Sequence, residues 1–297
     1  MRIASLVPSS TEMLFALGLG PQVVAVTHEC DHPAAVNDLP RLTRSTIPAG
    51  LDPAAIDAAV RERVGSGQSL YALDAAALER LDVDLIATQQ VCAVCAVSSD
   101  DVRAVAARLR SRPAVVSLDP ATLDDVLDDA VRLAGACDDV EAGRRLRGRM
   151  EARIEAVRAA TAGAEPVRVA AIEWLDPPYC AGHWLPEMIA AAGGIDVLAR
   201  PGQRSRTLGW DEIAAARPEA VVVMPCGLYV EEAEAEAQRH RANLEALGAT
   251  TIHAVDAASS FSRPGPRLAD GVELLGHLLH PELVAAPVGL EARAIRA

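Results

Sequence analysis

Cys92 and Cys95 form a Cys-x-x-Cys pair. That spacing lets two thiolates chelate one tetrahedral metal ion or two corners of an iron–sulfur cluster. Four more cysteines, Cys30, Cys137, Cys180 and Cys226, lie elsewhere in the chain. Three chemistries are open to the set: metal ligation, thiol redox exchange, and plain burial as small apolar groups. The sharpest expectation is a four-thiolate centre of Cys30, Cys92, Cys95 and Cys226 holding an iron–sulfur cluster or zinc. Cys180 is a fifth candidate, and His28 and His183 are imidazole substitutes. The redox alternative rests on Cys92 and Cys95, with Ser98 or Ser99 capping the helix that follows. A thioredoxin-like motif opens its helix directly, whereas here several residues intervene.

Aromatic side chains are scarce, 3% of the chain, and Trp174, Tyr179, Trp184, Tyr229 and Phe261 fall in segments that follow predicted strands, as five of the six cysteines do. Flat rings suit a planar macrocycle such as a corrin, and they also suit plugging a groove. Arg263 and Arg267 flank a Pro-Gly-Pro turn. Each is a bidentate fork for a carboxylate or phosphate, or an ordinary partner for surface acids. Glu29, Glu173 and His183 complete the ligand-contact candidates, with His28 and His32 beside Glu29. No phosphate loop, dinucleotide glycine fingerprint or nucleophile elbow is present, so a binding role is favoured over an enzymatic one.

The elements that must position these residues follow from hydropathy. Apolar runs at 3–7, 23–27, 85–88, 115–118, 167–172, 220–224 and 251–255 predict strands. Helical patterns, among them 75–81 and 100–109, alternate with them, which argues for parallel βαβ units. The alternation breaks at 123–137 and 138–161, two helices. In the second, Leu146, Met150, Ile154 and Val157 make one apolar stripe. The expected organisation is an amino-terminal α/β lobe (1–120), a helical linker with a long bridging helix (121–162) and a carboxy-terminal α/β lobe (163–297). The segment after Pro287 reads as an Ala/Arg-rich tail. In open parallel sheets ligands gather at the carboxyl ends of strands. Every candidate named above except Cys137 follows a predicted strand, so the expected site is an inter-lobe cleft.

Composition bounds the function. With 51% hydrophobic residues the chain can bury a large core. The formal net charge is -13 with no basic tract, so phosphate backbones are repelled and a nucleic-acid partner is not expected; that every basic residue is Arg carries no functional content. No window approaches the roughly 20 apolar residues of a membrane span. The opening apolar run is about six residues before Pro8, shorter than a secretory signal needs. A cytoplasmic location is the resulting expectation, where cysteines are not read as disulfides.

Several motifs occur together in order. They are Ile3-Ala4-Ser5-Leu6-Val7-Pro8-Ser9-Ser10-Thr11-Glu12 with Leu17-Gly18-Leu19, then Cys30-Asp31-His32-Pro33 and Asp84-Leu85-Ile86. Pro177-Pro178-Tyr179 with Ala192-Gly193-Gly194, and Phe261-Ser262-Arg263 with Pro266-Arg267, follow. From about residue 2 to 280 the chain resembles the vitamin B12 and iron-complex type of substrate-binding protein, nearest to its leaderless, cysteine-rich branch labelled cobalamin-binding. The resemblance implies a class III periplasmic-binding-protein-like α/β fold, two Rossmann-like lobes joined by one long α-helix. It implies a small-molecule ligand, a corrinoid, haem or siderophore. The first functional expectation is a cytoplasmic protein holding a corrinoid or a cysteine-ligated metal centre. The alternatives are an exported solute-binding subunit of an ABC transporter, a partner that the missing leader argues against, and a thiol redox enzyme using Cys92 and Cys95.

Overall fold

The computed structural model describes residues 1–48, 50–66, 68–90 and 99–295. The chain divides into two units: Met1–Pro120 with Leu127–Arg147, and Ala121–Val126 with Gly148–Ala297. The helical segment 121–162 is thus shared between them.

Unit 1 begins with β1 (Ile3–Ser5), α1 (Pro8–Ala16) and β2 (Val23–Val26). A small antiparallel pair follows, β3 (Thr43–Ser45) and β4 (Tyr71–Leu73), with α2 (Pro53–Gly65) between its strands. Then come α3 (Ala75–Leu81), β5 (Leu85–Thr88), α4 (Ser99–Ala106) and β6 (Ala114–Ser117). The main sheet has the order β2-β1-β5-β6 and is parallel throughout. Its strands are short runs of Val, Ile, Leu and Ala. β1, β2 and β5 are almost wholly buried and need no polar alternation, while β6 at the edge is only partly covered. Ala4, Leu6, Ala25, Leu42, Leu78, Ile86 and Val102 form one core cluster, each fully buried or nearly so. Fully burying a leucine or isoleucine stabilises by about 1.5–3 kcal/mol. Asp52 and Asp74 cap α2 and α3, each accepting a backbone N–H at 2.8 Å.

Two helices follow, α5 (Leu123–Ala136) and α6 (Val140–Thr161). The 22 residues of α6 span about 33 Å. Its predicted stripe is buried: Leu146, Met150, Ile154 and Val157 are all 5% exposed or less. In unit 1, a Cβ on Gly143 would lie 2.7 Å from the Val131 Cα, so glycine permits the close crossing of α6 over α5.

Unit 2 continues with β7 (Val167–Leu175), β8 (Pro178–Cys180), α7 (Leu185–Ala191), β9 (Gly194–Asp196), α8 (Trp210–Ala215) and β10 (Ala220–Val223). It ends with α9 (Val230–Arg239), α10 (Arg241–Ala246), β11 (Thr251–Val255), α11 (Ala257–Ser260), α12 (Leu268–Leu279) and β12 (Ala292–Ala294). The sheet runs β12-β11-β10-β7-β8. On the outer side of β7, β9 pairs parallel with its first residues and β8 antiparallel with its last. Arg153 of α6 grips Glu273 through two hydrogen bonds at 2.8 and 2.6 Å and Asp270 through a third at 2.6 Å, which fixes α6 to α12.

The structure corrects one expectation at the carboxyl end. The segment read as a tail contains β12, which pairs antiparallel with β11, and Ile295 joins the unit's core. Three residues are too few to show a period of two, so that pairing is visible only once β11 provides an edge.

Candidate functional site

In unit 1 the residues after β2 are held by hydroxyls. The Thr43 hydroxyl accepts the His28 backbone N–H at 3.1 Å and lies 2.7 Å from His28 Nδ1 and 2.6 Å from the Thr27 hydroxyl. Arg41 donates to the carbonyls of Thr27 (3.1 Å) and Cys30 (2.5 Å), fixing the turn. The Tyr71 hydroxyl donates to Glu29 Oε1 at 3.0 Å, and its ring tilts against His28 with centroids 5.5 Å apart. Burial lowers the His28 pKa. Arg41 acts in the same direction, and Glu29 opposes both. The imidazole is therefore neutral near pH 7, with Nδ1 tied to a hydroxyl. An imidazole oriented in this way is suited to offering its other nitrogen as donor or ligand.

Tyr71 is the residue that sequence reasoning missed. It lies on β4, in a three-residue strand away from the main sheet. The available signal was its rarity as one of three tyrosines.

Cys30 faces the other way. It is 2% exposed, and its sulfur lies 3.1 Å from the Thr11 hydroxyl. Thr11 donates to Ser5 at 2.7 Å, and Ser5 and Ser10 share a 2.6 Å bond. These hydroxyls link the start of α1 to the end of β1.

In unit 2, β7 carries Glu173 and Trp174 past the sheet and turns into β8. Trp174 sits opposite Tyr179, both half-buried, and the Trp174 indole donates to the Asp176 carbonyl at 3.2 Å. The Cys226 N–H donates to the Glu173 carbonyl at 3.0 Å, which ties the loop after β10 to β7. Cys226 is exposed, and Tyr229, at the start of α9, is 36% exposed. Arg263 and Arg267 are partly buried and engaged.

Trp184 and Phe261 belong to the core. Phe261 is 0% exposed and Trp184 5%, and the Trp184 indole donates to the Phe261 carbonyl at 2.9 Å. Neither ring leaves a face for a ligand. His183 precedes Trp184 in a left-handed conformation (φ 53°), with its N–H donating to Gln203 at 2.6 Å. Burial and the nearby Arg204 lower its pKa.

The expected four-thiolate centre is not assembled by the residues described. Cys92 and Cys95 lie outside them. Cys30 is buried among hydroxyls in unit 1. In unit 2, Cys180 is 1% exposed inside the apolar core, where burial pushes its thiol pKa up, and Cys226 is on the surface. Among the described residues, no three of His, Cys, Asp and Glu are grouped to hold a metal ion. Cys30 and Cys180 occupy interior positions, a common use of an unbridged cysteine.

The fold, two α/β units connected through a long helix, is that of the class III substrate-binding proteins. By sequence, the chain is 23% identical over 278 residues to the vitamin B12-binding protein of Vibrio cholerae, covering 92% of this chain and 86% of that protein. By structure, it is similar to the periplasmic vitamin B12 binding protein of Vibrio cholerae (TM-score 0.67, 22% identity, 94% of this chain and 96% of that one). It is also similar to a periplasmic heme binding protein from Pseudomonas aeruginosa (TM-score 0.71, 18% identity, 100% of this chain and 99% of that one). No protein-family model matches the chain. Among the described residues no helix is long and apolar enough to cross a membrane.

Proposed function

We propose that the chain is the solute-binding subunit of an ABC-type importer, and that its ligand is a metal-carrying macrocycle of the corrin or porphyrin class. The observation that carries this reading is the sequence likeness to a vitamin B12-binding protein along nearly the whole chain. Fold neighbours described as binding vitamin B12 and haem support it.

The side chains suit such a ligand. In unit 1, the neutral His28 imidazole and the Tyr71–Glu29 pair offer polar contacts. In unit 2, Trp174, Tyr179 and Tyr229 offer flat apolar surface. Arg263 offers a fork for an acidic substituent, and Glu173 and His183 offer further polar contacts. Trp184 and Phe261, buried and bonded to each other, belong to the scaffold of unit 2 and not to the contact surface.

The test is a visible-absorption titration of the intact protein with hydroxocobalamin and, separately, with hemin. A spectral shift saturating near one equivalent with either is the expected result. Unchanged spectra with both at about 10–50 μM would overturn the reading, since that range lies far above the nanomolar-to-micromolar dissociation constants of a working binding protein. Iron with inorganic sulfide, or zinc, at about one centre per chain in freshly prepared protein would instead support the cysteine-held centre. Cell fractionation forms the second arm. Recovery from the outer side of the membrane supports the importer subunit, and recovery from the cytoplasm supports a cytoplasmic ligand carrier.

A further inference from the structure

At the opposite end of unit 1's sheet, where the strands begin, the stretch leading into β6 is rich in arginine, with Asp84 at the start of β5 beside it. Between Asp101 and Asp119 there are four arginines and no acid, within a chain whose net charge is -13. Arg110 is paired with Glu79 at 2.8 Å. Among the described residues Arg103, Arg108 and Arg112 have no ion pair. Arg103 on α4 and Arg112 in the turn before β6 border one open groove of about 570 Å³. Ala106, Ala107, Pro113 and Val115 also line it. Arg112 is in the left-handed region (φ 44°), where glycine or asparagine would sit with less strain. A strained residue whose side chain borders a groove is a pointer to function. The groove also lies beside β6, the edge strand of the sheet.

We propose that this groove binds a small organic phosphate: a dianionic phosphate group attached to an apolar body. Two unpaired guanidiniums supply forked donors that match phosphate oxygens. The alanine, proline and valine lining gives the attached body an apolar surface. The groove has room for a ligand of that size, since small-molecule sites run from about 300 to 1,000 Å³. Charge complementarity excludes cations. The proposal is independent of the macrocycle reading, because His28, Glu29 and Tyr71 are tied to the carboxyl end of β2 while this groove opens beside the start of β6.

The experiment is calorimetric titration of the intact protein with phenyl phosphate and with inorganic phosphate. Phenyl phosphate is expected to bind at one site and inorganic phosphate at least threefold more weakly, because it leaves the apolar lining unused. Arg103→Gln and Arg112→Asn should each weaken phenyl phosphate binding about tenfold, the loss expected for one charge-assisted contact. Arg112→Asn suits the left-handed backbone, so a folded protein with lost binding is the informative result, checked by its melting curve. Arg108→Ala, an exposed arginine outside the groove, should leave affinity within about twofold if the site is specific and not diffuse charge attraction. Absence of phenyl phosphate binding overturns the proposal. So does an equal loss in Arg108→Ala, or an unchanged affinity in both groove variants.

Discussion

The two units treat their strand ends differently. In unit 1 the residues after β2 are polar and half-buried, and hydroxyls, an arginine and a tyrosine brought in from other elements hold them. In unit 2 the corresponding loops carry rare aromatic residues, but two of the five, Trp184 and Phe261, have been drawn into the core. Polar side chains that are pinned yet accessible cost backbone order and give no core in return, which points to ligand contact. Aromatic side chains at a strand end can serve either purpose. Their scarcity in the sequence therefore says less about function than their burial does.

The largest test of this contrast is Phe261→Ala. With its ring wholly inside unit 2, the substitution should cost about 3–5 kcal/mol of stability, read from urea unfolding. A cost below about 1 kcal/mol would mean the ring is not a core member.

Asp196 comes next. It is largely buried at the end of β9, with Oδ2 unpartnered, and burial pushes its pKa up to about 6 against backbone bonds from Leu198 and Ala199 that lower it. The folded state therefore holds this proton more tightly than the unfolded chain. Its contribution favours folding below about pH 4 and is lost as pH rises to about 6. Asp196→Asn should remove that slope and raise stability at pH 7 by about 1–3 kcal/mol. Denaturation at pH 4.5 and 7.5 checks the sign, and a variant less stable at pH 7 would contradict it.

Smaller effects belong to unit 1. Tyr71→Phe deletes the bond to Glu29 and should cost about 1 kcal/mol of stability. The thiols give the mildest probe. Cys226 should alkylate rapidly in the native protein, while Cys30 and Cys180 stay protected until unfolding, as mass spectrometry of labelled peptides would report. Equal labelling of all three would break the assignment of Cys30 and Cys180 to the interior.

Much of the scaffold was legible from hydropathy. Leu85–Thr88, Ala75–Leu81 and Thr251–Val255 have the predicted bounds, and the stripe on α6 is buried as its spacing implied. The short pieces were not legible. β3, β4, β8, β9 and β12 are three residues each and exist because a neighbouring edge accepts them. The site was legible in part. Glu29 follows β2 as expected, whereas Glu173 and Trp174 lie within β7, which runs three residues past the predicted strand end; Tyr71 reaches Glu29 from 42 positions away, a pairing that no local pattern encodes. Burial of Cys30 and Cys180 was not legible, because thiols look alike in sequence whether they line a metal or fill a core.

The most direct test of the macrocycle reading is a paired calorimetric titration, with the better of hydroxocobalamin and hemin, of the parent protein and its His28→Ala variant. The account predicts one site in the parent and about tenfold weaker binding in the variant, with stability lowered by no more than about 1 kcal/mol, the loss of the Thr43 bond. Equal affinity in the two proteins would contradict the assignment of His28 to the ligand, and no heat with either ligand would contradict the function itself.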